Sequence, residues 1–243
     1  MPDAVFSPFV IHVTPRPRGV TAFARAWRPW LQRLALAALC LAACQARAWN
    51  AERMLDAARQ AGPQALDGAR ALQATLQAAH DLNDAGKLAA VNDFFNRRVA
   101  AREDRELWGR VDHWSSPLET LAKGAGDCED FAIAKYFGLL ALGMPAHKLR
   151  LVYVRADTGG PGGRPQAHMV LAYHAAPGAE PLILDSLVGD VRAASQRPDL
   201  APVFSFNSEG LWHGVGSTGA GTPGARLSRW RAILAKAHAE GFE

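Results

Sequence analysis

The reactive chemistry of this chain gathers in Gly126-Asp127-Cys128-Glu129-Asp130-Phe131. Cys128 is the only cysteine beyond Cys44. Asp127 stands where a helix N-cap belongs, and Phe131, Ala134, Phe137 and Leu140 follow at helical spacing. A helix N-terminus stabilises a thiolate, which is the nucleophilic form of cysteine. Its first backbone N–H groups lack partners within the helix, so they can hold an oxyanion. A cysteine nucleophile also needs a base, and the base needs a group to orient it.

Eight histidines compete for the base. His12 lies in the N-terminal region, and His80 and His238 fall on polar helix faces. His147 follows a helix end beside Pro145, and His213 follows Trp212 in an expected loop. His168 opens a strand after the Gly/Pro-rich segment 158–165, and His174 closes that strand. Asp185 stands near the far end of the next strand. Antiparallel pairing brings the start of one strand to the end of the next. His168 and Asp185 are therefore expected to be neighbours, whereas His174 falls at the turn.

The acids around Cys128 oppose its ionisation, because Asp127, Glu129 and Asp130 are anionic at neutral pH. Two readings stand side by side. Asp127 and Asp130 can form an approximate capping box and complement the helix dipole. Alternatively, the three carboxylates hold a hard cation, for which calcium suits oxygen ligands. The spacing is not that of an EF-hand loop.

The elements that must position these residues follow an α+β order, helices first and strands after. Helices are expected over 50–61, 64–80 and 87–99, with a turn at 83–86 and a loop and short helix over 107–121. The helix at Cys128 runs to Gly143 and Pro145. Strands are expected over 149–154, 168–174, 182–187 and 203–207, then a last helix over 226–239. The expected division is an extension and leader over 1–48, a catalytic domain over 49–213, and a Gly-rich segment with a helix over 214–243.

The net charge of +4 belongs to the front of the chain. Beyond residue 48 there are 21 basic and 22 acidic residues, so no nucleic-acid footprint remains. Residues 25–48 carry Arg25, Arg28 and Arg33, then the apolar run Leu34 to Cys44, then Ala46-Arg47-Ala48. That is the pattern of a signal peptide, and the run is too short to span a membrane. Leu41-Ala42-Ala43-Cys44 offers a rival lipobox. Cleavage after Ala48 would leave Cys128 as the sole thiol of an exported protein. A lone cysteine there suggests reactive use rather than a disulfide.

Further motifs carry a family resemblance. They are Val91-Asn92-Asp93-Phe94-Phe95-Asn96-Arg97-Arg98, Asp112-His113-Trp114 with Pro117-Leu118-Glu119, and the Cys128 motif with Ala134-Lys135-Tyr136-Phe137. Leu149 to Val154, Ala167 to Leu171, Leu184-Asp185-Ser186-Leu187 and Phe204-Ser205-Phe206-Asn207 follow in order. Over roughly residues 50–213 the chain resembles the bacterial transglutaminase-like cysteine proteinases of the LapG-type periplasmic group. His113 departs from an expected tyrosine and Ser186 from an expected asparagine.

The resemblance implies a papain-like, transglutaminase-like fold, with N-terminal helices on an antiparallel sheet. It implies Cys128 as nucleophile, His168 as base and Asp185 as orienter. It also implies calcium dependence, with Asp127, Glu129 and Asp130 as ligands. The implied substrate is the N-terminal region of a large surface adhesin, cut at an Ala-Ala pair to release it and disperse biofilm. The implied partner is the periplasmic domain of an inner-membrane cyclic-di-GMP receptor. Two other functions use the same residues differently: a transglutaminase that passes the acyl group to an amine, or a non-enzymatic binding module with an unreactive Cys128.

Overall fold

Local capping sets most of the helix boundaries. In a computed structural model that describes residues 49–157, 164–216 and 225–242, Asn50 caps α1 (Ala51–Ala61), its side chain accepting from Arg53 N at 3.0 Å. Gly62, at φ 115°, turns the chain into α2 (Pro63–Ala79), where Pro63 takes the first helical position. α3 (Asp84–Arg98) begins three residues before the expected start, because Asn83 caps it by accepting from Gly86 N. The expected turn at 83–86 is thus the first turn of the helix.

A two-residue strand β1 (Ala100–Ala101) leads into α4 (Asp104–Trp108). Ser116 and Glu119 form a full capping box on α5 (Pro117–Lys123). The strand β2 (Ala125–Gly126) then pairs parallel with β1. α6 (Cys128–Ala141) follows at once, and every residue from Asp130 to Leu139 is buried. A helix apolar all round belongs in the middle of a core. α3, α5 and the sheet surround it.

That sheet has six strands: β3 (Leu149–Ala156), β4 (Gln166–Tyr173), β5 (Leu182–Leu184), β6 (Arg192–Ala193), β7 (Leu200–Phe206) and β8 (Leu211–His213). Their order is β6-β5-β4-β3-β7-β8, and every neighbouring pair is antiparallel. Leu149, Leu151, Met169, Leu171 and Leu184 face the helices. Val152, Val154, Val170, Ala172 and Ile183 form a second cluster on the other face, against Ala194, Leu200 and Val215. Strands buried on both faces lose polar alternation, as β3 and β4 do. His213 lies in β8 rather than in a loop.

The last helix is α7 (Ala225–Ala239). Trp230 is 1% exposed and packs against Tyr136, Phe137 and Phe206. Its indole N–H donates to Asn207 O at 2.9 Å. Glu240 accepts from the Ser116 hydroxyl and from Leu118 N, and Trp49 forms a bridge with Phe242. The helix completes the same core, and all described residues belong to one compact unit, Arg47–Glu243. Among them no helix is long and apolar enough to cross a membrane. The leader, Cys40, Cys44 and residues 158–163 and 217–224 lie outside the described residues.

Candidate active site

β4 and β5 build one side of the site. His168 pairs with Val154 in the β3–β4 ladder and is 6% exposed. Asp185 follows β5 directly after the last pair, Leu184 with Leu171. His168 Nε2 lies 2.7 Å from Asp185 Oδ1. With Asp185 ionised, Nε2–H is the donor, and Nδ1 is left free to take a proton. Burial alone would raise the Asp185 pKa. The His168 bond and charge, the Leu187 N–H at 3.1 Å and Arg197 instead hold it at about 2.

α6 brings the sulfur. Cys128 is the first residue of that helix and half-buried. Cys128 and His168 line one open cleft of about 620 Å³ with Tyr153, Gln166, Val111 and Leu187. Val111 is 75% and Leu187 57% exposed, so the cleft has an apolar rim. The thiol donates to Glu129 Oε2 at 2.6 Å. Burial pushes the Cys128 pKa up, and the Glu129 and Asp127 charges push it further.

The acids gather in two overlapping groups, each with ligand atoms within 4.8 Å of one another. One holds Asp104, Asp127 and Asp130, and the other Asp127, Cys128 and Glu129. Asp104 Oδ1, Asp127 Oδ1 and Asp130 Oδ2 are buried and have no hydrogen-bond partner. Asp130 Oδ1 accepts from Ser115 N at 2.7 Å, and Asp104 Oδ2 accepts from His113 N. Burial, first in every case, raises all four carboxylate pKa values, Asp127 to about 9 and Asp130 to about 7. Neighbouring carboxylates add to each. Orphaned, crowded oxygens of this kind suit a hard cation.

The expected capping box is not formed. Asp127 holds the N-cap position, but its side chain makes no capping bond. Its carboxylate and that of Asp130 meet Asp104 instead. Glu129, grouped in the sequence reading with Asp127 and Asp130, turns to the sulfur. Asp104, to which the sequence did not point, joins Asp127 and Asp130 and is buried to 2% exposure. The β1–β2 ladder carries it there: Ala101 pairs with Gly126, and Arg102 N donates to Gly126 O at 2.9 Å.

The sequence pattern of the bacterial transglutaminase-like cysteine proteinases (BTLCP) matches residues 65–200. The chain belongs to this family. It is therefore a cysteine peptidase with a transglutaminase-like fold of mixed helices and antiparallel sheet. Solved structures of Legionella pneumophila LapG are similar to it over 77% of this chain. One matches at 37% identity and TM-score 0.65, over 97% of its own length. An EGTA-treated form matches at 36% and 0.67 over 97%, and a calcium-bound form at 37% and 0.64 over 98%. No curated protein matches.

Three more side chains that spacing did not single out converge on Asp185 in this proteinase. Lys135 Nζ and Asn96 Nδ2 each donate to its backbone oxygen at 2.9 Å. The Arg197 guanidinium lies 2.7 Å from Asp185 Oδ2. Burial holds the Lys135 ammonium pKa down to about 7, against the opposing charge of Asp185. A larger cleft of about 770 Å³, lined by Gln64, Asp67, Phe94 and Arg97, contains none of these groups.

Proposed function

We propose that the chain is a calcium-dependent endopeptidase in which Cys128 is the nucleophile, His168 the base and Asp185 the orienter. One observation carries this reading. His168 is held through Nε2 by Asp185, and it lines one open cleft together with Cys128.

His168 Nδ1 takes the thiol proton, and the sulfur attacks the scissile carbonyl carbon. Negative charge then develops on the carbonyl oxygen, beside the Cys128 backbone N–H at the helix start. The carbon–nitrogen bond breaks as the imidazolium gives its proton to the leaving amine. His168 next takes a proton from water, whose oxygen attacks the thioester. The acid product leaves and the thiol is restored. Asp185 keeps the imidazole tautomer and orientation through both steps.

The acids fit calcium, because three buried oxygens of Asp104, Asp127 and Asp130 lack partners and Glu129 stands beside them. Calcium held there would supply positive charge against the carboxylates that oppose ionisation of Cys128. The calcium-bound and EGTA-treated forms of LapG support the assignment.

The substrate is the N-terminal region of a large surface adhesin, cut at an Ala-Ala pair in the periplasm, with release of the adhesin and dispersal of biofilm. The periplasmic domain of a cyclic-di-GMP receptor restrains the enzyme. The family resemblance, the similarity to LapG and the leader pattern over 25–48 support this reading. The test incubates purified protein and calcium with an Ala-Ala-containing adhesin fragment and reads products by mass spectrometry. Two fragments are expected, none with chelator and none from Cys128→Ala. Cross-linked products or an uncut fragment would overturn it.

A further inference from the structure

Asp185 is gripped from more directions than orienting one imidazole requires. Its Oδ1 takes His168 Nε2 and Leu187 N, and its Oδ2 meets Arg197. Its backbone oxygen takes Lys135 and Asn96. Two of these groups are basic side chains buried in the fold: Lys135 at 0% exposure and Arg197 at 5%.

Resting on the peptidase reading, we propose that Lys135 and Arg197 are positioning residues that fix the Asp185 carboxylate, and through it the His168 ring, relative to Cys128. Lys135 acts on the main chain and Arg197 on the side chain. Lys135 is seven residues beyond Cys128, so both lie on one face of α6, about 10 Å apart along its axis. One helix thus carries the nucleophile at its start and a strut for the orienter two turns on. Arg197 is itself oriented from the other side. Its Nε and Nη2 hold both oxygens of Asp199, at 2.9 Å and 2.7 Å. Rotation of the Asp185 carboxylate would give up Arg197 at one oxygen and Leu187 N at the other.

Stability does not account for Lys135. Burying an ammonium costs several kcal/mol, and apolar residues of similar volume are often as good or better in a core. Its Nζ bonds a backbone carbonyl, which an apolar side chain would leave with Asn96 as donor. A lysine at this point is explained by what it does to Asp185.

The test uses Lys135→Met, Arg197→Gln and Arg197→Lys in the full chain with calcium present. Three readouts are taken: the thermal midpoint, kcat and KM on the adhesin fragment, and the low-field proton resonance of His168 Nε2–H. Lys135→Met is expected to keep or raise the midpoint, with kcat down roughly 100-fold and KM unchanged, as for a misplaced catalytic group. Its resonance should shift or broaden. Arg197→Gln should behave likewise, and Arg197→Lys should recover part of kcat by restoring the charge. A folded Lys135→Met or Arg197→Gln chain with wild-type kcat and an unmoved resonance would overturn the proposal. If Lys135→Met fails to fold, the two Arg197 variants decide it. The resonance reports the His168–Asp185 bond without any substrate. Shifted variant resonances in a chain that cleaves nothing would therefore overturn the peptidase reading and uphold the positioning role.

Discussion

Chelated protein should lose stability as pH rises, opposite to the usual behaviour of carboxylates. Asp130 is fully buried, and its pKa stands at about 7 against an ordinary 3.8. A folded-state pKa above the unfolded value gives stability that is complete below about 3.8 and falls as pH climbs toward 7. Between pH 5 and pH 7 this amounts to about 2 kcal/mol from Asp130, at 1.36 kcal/mol for each pH unit over most of the range. Above 7 its contribution is gone. Asp127, raised to about 9, extends the decline in the same direction. For a domain of this size about 2 kcal/mol corresponds to a midpoint drop of roughly 6 °C. Calcium should replace the protons as partner of these oxygens and flatten the curve. The assay is thermal unfolding at pH 5, 6, 7 and 8, in chelator and in excess calcium, with Asp130→Asn as a control whose chelated curve is shallower. A chelated midpoint that is flat or rises over this range would refute the reasoning, and so would an equal decline with calcium.

Asp104→Asn removes a charge from the group with Asp127 and Asp130. Calorimetry should find calcium affinity down at least tenfold, because ligand charge count tunes such sites. Gly126→Ala places a methyl carbon 2.7 Å from Asp130 Cβ and Oδ2. It should displace that carboxylate and weaken calcium binding, and unchanged affinity would show that the approach is not limiting. Trp230→Ala empties the centre of an aromatic cluster. A loss of about 3–5 kcal/mol is expected by denaturant titration. Asp185→Asn removes the acceptor that fixes the His168 tautomer. Its kcat should fall by about 10³ to 10⁴, with KM nearly constant, in a steady-state assay.

The pair His168 and Asp185 was legible because hairpin geometry converts chain order into proximity. The long helices were legible from apolar spacing, although the start of α3 was not, since a capping Asn83 looks like a turn residue until its side chain is placed. Asp104 could not be read. It sits in the charged run Arg102-Glu103-Asp104-Arg105-Glu106, which has the look of a solvated face. Only a two-residue parallel ladder carries it to the helix start, and two residues hold no periodicity. Lys135 hid for a similar reason, since lysine on a helix is ordinarily surface. Arg197 follows a strand of two residues and a single 3₁₀ turn, so nothing local aims it at Asp185. The resemblance included Lys135 within a motif without giving it a task.

Trp230 and Phe242 also bear on the timing of folding. Both are 1% exposed, and they fill the core from the final stretch of the chain. During synthesis the helices from α1 to α6 are complete long before that stretch emerges. Until then Tyr136, Phe137 and Phe206 lack their ring partner, and Ser116 at the start of α5 lacks Glu240. A chain halted before residue 230 therefore has an open core, and the cooperative transition awaits residues 230–242. A protease so arranged acquires its rigid fold only once residues 230–242 have docked.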